Sequence, residues 1–386
     1  MRKFMLGLFC FLFGTNVVIA NSEDAFRTWI KSSMKKLDIP GISIAVIKDY
    51  KIAWIEGFGM ADVANARLVT PEVLFQAGSI SKPVTAMAAL KSVQDGKIAL
   101  HANINNFLTS WKIPSSVYTK KTGINLEKLL SHSAGINVSG FWGYSREEKV
   151  PSLLEILNGQ SPAHSEPIRV VGPVGKHYEY SGGGYTIIQQ ALIDTWHQPF
   201  NRILEKLIFK PLNMRNSRFD QPLPKSLEPV AALPYRNGQL LPDGPYIYPE
   251  LAAAGLWTTP ADLAKFTISI QKSLNNDPGQ ILSKKYAKLM TVIPKSQSSR
   301  EKTSAIIQMG LGFIIGLNKY GKGAKNGSYF GHAGQNEGYR MFLLADSRKG
   351  NGVIIMTNMS PPADKPDDWK FIFAIVKKIA DKYQWN

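Results

Sequence analysis

Five serines are followed three residues later by lysine: Ser32, Ser33, Ser79, Ser269 and Ser299. On a helix that spacing brings an amine beside a hydroxyl that it can help to deprotonate, the first requirement of nucleophilic catalysis. Five matches in one chain mean that most are accidents, and their surroundings separate them. Ser32 and Ser33 fall within an amphipathic helical pattern, Ser269 within another helical run, and Ser299 in the very polar stretch from Lys295 to Lys302. Ser79 differs. It lies in Phe75-Gln76-Ala77-Gly78-Ser79-Ile80-Ser81-Lys82-Pro83, with glycine before it, proline in a first helical turn and an apolar helix running on to Leu90. A serine at such an N-terminus has backbone N–H groups and the helix dipole aimed at it, and both stabilise developing negative charge. The plainer reading of Ser79 is a helix cap.

Two further clusters bear on the choice. Tyr178-Glu179-Tyr180-Ser181-Gly182-Gly183-Gly184-Tyr185 sets Tyr180 in a glycine-rich turn, and Gly331-His332-Ala333-Gly334-Gln335 precedes a C-terminal hairpin. Taken singly, Tyr180 reads as a core tyrosine and His332 as a loop histidine. Other chemistries find no pattern. The six histidines, at 101, 132, 164, 177, 197 and 332, form neither His-Glu-x-x-His nor a close pair, so no metal is implied. There is no Walker loop or dinucleotide fingerprint, hence no cofactor is expected. The lone Cys10 leaves the rest of the chain without thiol or disulfide chemistry.

The elements that must position these groups follow from periodicity. Phe26, Trp29, Ile30, Ser33, Met34 and Leu37 are at helical spacing, with Ser22 as a cap, and Pro40-Gly41 stops that helix. Ile42 to Ile47 and Ile52 to Phe58 read as a β-hairpin around Lys48-Asp49-Tyr50-Lys51. Met341 to Ala345 and Val353 to Thr357 read as a second hairpin, followed by a helix from about Asp367 that carries Trp369, Phe373, Val376 and Ala380 on one side and Lys377, Lys378 and Lys382 on the other. With 44% apolar and 19% charged residues, disorder, collagen and coiled coil are excluded. The expected fold is α/β of the α+β type. Segments from both chain ends build one antiparallel sheet packed with helices, and a mostly helical region is inserted over roughly 100–300 of a single domain, 21–386.

In the order Ser-x-x-Lys, tyrosine motif, His-x-Gly, these clusters resemble the serine β-lactamase and penicillin-binding superfamily. The chain is most similar to the class C branch, which also holds DD-peptidases, D-aminopeptidases and family VIII esterases. Pro40-Gly41-Ile42-Ser43-Ile44-Ala45-Val46, Leu129-Leu130-Ser131-His132-Ser133-Ala134-Gly135, Ile208-Phe209-Lys210-Pro211-Leu212-Asn213-Met214 and Ala254-Gly255-Leu256-Trp257-Thr258-Thr259-Pro260-Ala261-Asp262-Leu263 look like family landmarks. The resemblance implies a sheet from both termini and a site between sheet and helices. It makes Ser79 the nucleophile, Lys82 the residue that shares its proton, and Tyr180 the group that activates the serine and later serves the leaving group or water. His332 and Gly334 would stand where other members have the lysine and glycine of Lys-Thr-Gly, with Ser181 and Gly182 beside them facing substrate. Backbone N–H groups of Ser79 and Gln335 would form the oxyanion hole. Tyrosine and lysine both titrate near 10 when free, and the sequence leaves open which of them holds the shared proton.

Departures from the pattern bear on substrate. Gly182 replaces an asparagine that commonly holds the substrate's acyl amide, and His332 replaces a permanently charged lysine. A histidine titrating through about pH 6–7 predicts that recognition of an anionic carboxylate weakens as pH rises, the more so if Lys82 pushes it lower. Lys121-Thr122-Gly123 precedes Tyr180 and reads as a decoy. The expected function is an exported serine hydrolase forming an acyl-enzyme at Ser79, acting on β-lactams, D-amino-acid peptides or esters. Alternatives are a family VIII-type carboxylesterase, an α/β-hydrolase using Ser133, and a catalytically weak sensor.

Arg2 and Lys3, the apolar run Phe4 to Phe13 and Val18-Ile19-Ala20 read as a signal peptide over 1–20, cleaved near Ala20. An uncleaved anchor stays open, and Phe9 before Cys10 argues against a lipoprotein. Periplasmic or secreted residence is expected, with no stable membrane insertion after cleavage. Lys and Arg number 46 against 29 Asp and Glu, but they are scattered. Nucleic acid is therefore not an expected partner, and a small-molecule or cell-wall-peptide substrate is.

Overall fold

The computed structural model describes residues 14–120, 122–294, 308–324, 327–360 and 368–385. Helix α1 spans Gly14–Lys36. Strands β1 (Gly41–Lys48) and β2 (Lys51–Asp62) form the first expected hairpin, and β3 (Arg67–Leu68) follows. Asp49 and Tyr50 both take positive φ, at 50° and 61°, as a two-residue hairpin loop demands. The next strands of the same sheet come only near the other end: β4 (Gln308–Met309), β5 (Ile314–Leu317), β6 (Tyr329–Asn336), β7 (Tyr339–Asp346) and β8 (Gly352–Thr357). Their spatial order is β3-β2-β1-β8-β7-β6-β5-β4, antiparallel throughout. The seam is the β1–β8 pair, where Ile42 faces Thr357 and Val46 faces Val353. The expected sheet from both chain ends is therefore present.

β1 is buried on both faces, which is why Ile-Ser-Ile-Ala-Val-Ile reads as an apolar run instead of an alternation. Ile42, Ile44 and Val46 pack with Ile30 and Met34 of α1 and with Phe371 and Ile375 of the last helix, α6 (Asp368–Lys382). Ala45 and Ile47 belong to the larger core shared with the helical region. Four helices of that region concern the site: α2 (Ser81–Gln94), α3 (Gly182–Trp196), the short α4 (Leu251–Ala254) and α5 (Pro260–Leu274). One expectation is corrected. The first helix starts at Gly14, so Ser22 lies within it and not at its N-terminus. Residues 1–13, with Cys10 and the basic and apolar parts of the expected leader, lie outside the described residues, as do Ser299 and Lys121. No helix among the described residues is long and apolar enough to cross a membrane.

Candidate active site

Ser79 occupies a single 3₁₀ turn, Gly78–Ile80, that runs straight into α2. The turn is pinned at its base. Phe75 and Gln76 pair with Thr258 and Trp257, Ala77 N–H donates to the Leu256 carbonyl at 2.7 Å, and the Ser81 hydroxyl donates to the Gly78 carbonyl at 2.6 Å. No side chain caps either helix end here, so Ser79 is not the cap that the plainer reading allowed. Instead Lys82 Nζ lies 3.0 Å from Ser79 Oγ and donates to the Ala253 carbonyl of α4 at 2.9 Å. Lys82 is 2% exposed, and burial without a counter-charge pulls its amine down to about 7. Near neutral pH it is a base with an available lone pair.

The Tyr180 ring covers Lys82, with Nζ 4.9 Å from the ring centroid. Burial pushes the Tyr180 hydroxyl upward, opposed by its hydrogen bond with Ser79, so the phenol stays protonated. An amine in this state can accept a proton, and a phenol in this state can donate one. His132 holds Tyr180 in place, a role that sequence spacing did not reveal. Its carbonyl accepts from Glu179 N–H at 2.8 Å, its Nδ1 accepts from Ser181 N–H at 3.0 Å, and its ring lies 4.4 Å from the Tyr180 ring. The two residues flanking Tyr180 are therefore both tied to one histidine. His132→Phe keeps the ring but orphans the Ser181 amide, and turnover should fall about tenfold with KM little changed, as for a misplaced proton donor. Steady-state kinetics on an ester would check this, and an unchanged rate would reduce His132 to packing.

The third cluster lies on β6. Pairing with β5 ends at Gly331, so His332 to Asn336 leave that edge free for the turn that carries Ser79. The approach is close. Gly78 has φ +49°, and a β-carbon there would stand 2.6 Å from the Gln335 nitrogen. A β-carbon on Gly334 would overlap the Ala77 carbonyl oxygen. Glycine is required at both positions, and the Gln335 backbone is thereby brought against the turn that carries Ser79, while its side chain is exposed.

His332 departs from expectation. It is 2% exposed, and burial together with the Lys82 charge takes it down to about 3. Its Nδ1 is 2.6 Å from the Ala333 carbonyl, which only accepts, so the neutral ring carries its proton there. The pH-dependent reading of a carboxylate is thus corrected, because a ring already neutral at about pH 5 has no charge left to lose. KM for an anionic and a neutral substrate should follow the same profile between about pH 5.5 and 8. A KM that climbs for the anion alone would restore charge to His332.

Ser181 and Gly182 are also placed differently from the expected substrate contacts. The Ser181 hydroxyl caps α3 by accepting from Gly184 N–H and donates to the Asn137 carbonyl at 2.8 Å. Gly182 is buried with the Phe141 ring 2.9 Å from where a β-carbon would be, so the missing asparagine would require that ring to move. Ser133 is buried against Ser131, their hydroxyls 3.1 Å apart, and the sheet is antiparallel, which removes the α/β-hydrolase reading. Thr122 and Gly123 of the decoy lie in exposed loop. A cavity of about 480 Å³ opens beside Tyr180, walled by residues 136–144, 164–166 and Glu250. Among the described residues no cluster of three His, Cys, Asp or Glu side chains could hold a metal.

A serine–lysine pair thus lies under a tyrosine, between an antiparallel sheet and a helical region. The chain belongs to the Beta-lactamase family, whose family model matches residues 26–377. It is 24% identical over 353 residues to "Protein flp" of Staphylococcus aureus (strain NCTC 8325 / PS 47), covering 88% of this chain and 64% of that protein's length. Two solved structures share the fold. The octameric penicillin-binding protein homologue from Pyrococcus abyssi superposes with a TM-score of 0.71 at 22% identity, over 94% of this chain and 78% of that one. The D-amino acid amidase from Ochrobactrum anthropi SV3, complexed with L-phenylalanine, gives 0.72 at 20% identity, over 94% and 98%.

Proposed function

We propose that this chain is an exported serine hydrolase that opens ester or amide bonds through an acyl-enzyme at Ser79. The observation that carries the reading is the 3.0 Å contact between Ser79 Oγ and a buried Lys82 amine brought down to about 7. Neutral Lys82 takes the Ser79 proton as Oγ attacks the carbonyl carbon, and the backbone N–H groups of Ser79 and Gln335 receive the oxyanion. Tyr180, still protonated, relays a proton to the leaving group, and water then attacks the acyl carbonyl to release the acid. Esters and amides without a free carboxylate are favoured over β-lactams and over peptides with a C-terminal carboxylate. A neutral His332 withdraws the charge that either carboxylate would use, and Gly182 offers no side-chain amide to an acyl amide.

Export rests on Arg2, Lys3 and the apolar run that follows them. A fluorophosphonate probe tests the chemistry directly. One adduct on Ser79 is expected by intact-mass and peptide mapping, with none on Ser79→Ala. Labelling at Ser133, or none on folded protein, would reject the proposal.

A further inference from the structure

The chain carries a formal charge of +17, yet the cavity beside Tyr180 has no lysine or arginine in its wall. Its ionisable wall residues, besides Tyr144, Tyr180 and His164, are three carboxylates, Glu166, Glu179 and Glu250. Glu166 and Glu179 are solvent-exposed. Glu250 is the unusual one. It is 0% exposed, and among the described residues neither carboxylate oxygen has a hydrogen-bond partner outside its own residue. An unpaired buried carboxylate is costly, and native structures retain such groups where something else supplies the partner. Glu250 also begins the turn whose Ala253 carbonyl holds Lys82, because its own carbonyl accepts from Ala253 N–H at 3.0 Å. The orphaned group and the reacting pair are therefore fixed to one another by a single turn of backbone.

We infer that Glu250 is the anionic end of a substrate subsite that receives a protonated primary amine, carried on the acyl part of the ester or amide that Ser79 attacks. This rests on the hydrolase reading above and names its substrate class. An ammonium supplies three donors and the missing charge, and a side-chain adjustment at the cavity wall on binding brings the carboxylate to it. The ionisation of Glu250 agrees: burial pushes it up to about 8, with only its own backbone amide pulling it the other way. The exposed Glu166 and Glu179 favour entry of a cation over an anion.

The test compares p-nitrophenyl esters in isosteric pairs, alanyl against isobutyryl and 4-aminobutyryl against pentanoyl, by kcat/KM at neutral pH. At least one amine ester should be preferred roughly ten- to hundredfold, the worth of one charge-assisted hydrogen bond, and Glu250→Gln should bring that ratio towards one. Each ratio is taken within one protein, so a general loss of activity cancels. n-Butylammonium should also compete with isobutyryl ester on the unaltered enzyme where n-butanol does not, which keeps the inference testable if Glu250→Gln fails to fold. Ratios near one for both pairs, or a preference untouched by Glu250→Gln, would overturn it. If Ser79 takes the fluorophosphonate while these ratios are flat, the subsite alone falls. If Ser79 is not labelled, the hydrolase reading falls first.

Discussion

Lys82→Met should reduce kcat/KM by about 10⁴, the upper end of what a positioned base contributes, while making the protein more stable at neutral pH than at alkaline pH relative to its parent. Both effects come from one buried amine. In the parent, kcat/KM should rise with pH through about 7 as Lys82 loses its proton, and the variant's residual rate should lack that limb. The stability effect has a definite sign. Lys82 titrates at about 7 when folded and 10.5 when unfolded, so between those values the unfolded chain binds more protons and stability rises with pH. Below pH 7 both states are charged and the full cost of burying the ammonium is present. Methionine removes that cost, so its stability relative to the parent should decline by roughly 3 kcal/mol between about pH 6.5 and 9.5. Denaturant unfolding at the two pH values, alongside an ester assay, would check both. A variant with no pH-dependent difference would mean that Lys82 is charged in the fold and that Ser79 has another base.

Gly334→Ala tests the other wall of the site. Its β-carbon would meet the Ala77 carbonyl and the Met341 side chain, and Ala77 is held in place by Leu256. The edge of β6 must then back away from the nucleophile turn and take the Gln335 N–H with it. A displacement of about 1 Å at an oxyanion donor is expected to cost about 10²-fold in kcat, with a stability loss of roughly 1–3 kcal/mol from overpacking. The rate of fluorophosphonate labelling and the melting temperature separate the two. Full labelling speed in a destabilised variant would remove Gln335 from the oxyanion hole.

Much of this arrangement is legible in the sequence, and the reasons are local. The hairpin strands announce themselves as apolar runs broken by Asp49-Tyr50 and by Asp346 to Gly352, and α6 by the lysines opposite Val376 and Ala380. Ser79 stood out from the other Ser-x-x-Lys matches because glycine, proline and an apolar helix surround it. What escaped depends on solvent exclusion and on loops meeting across the fold. The motif order brings His332 near Lys82 and its neutrality follows, but nothing adjacent to His332 in sequence indicates its burial, so the extent of that loss of charge is not readable there. His132 acquires its role only because residues 179–181 fold back on it, and Glu250 in Tyr248-Pro249-Glu250-Leu251 looks like any solvated acid. Ser181 and Gly182 were placed at the substrate by motif, whereas the cap of α3 and the Phe141 ring already claim their space.

The seam between β1 and β8 also governs the order in which the molecule can be assembled. The first hairpin is synthesised long before its neighbour strand: the Tyr50 hydroxyl donates to the Arg348 carbonyl across 298 residues. Closing a loop of that length adds little to the equilibrium cost, since each doubling of length costs only about 0.6 kcal/mol. It weighs on the rate, because contacts this distant in sequence form slowly. Until β8 arrives, β1 presents an open, apolar edge that invites pairing with another chain. The sheet therefore cannot close until β8 has been made, and the helical region between the two hairpins must wait for the platform on which it packs.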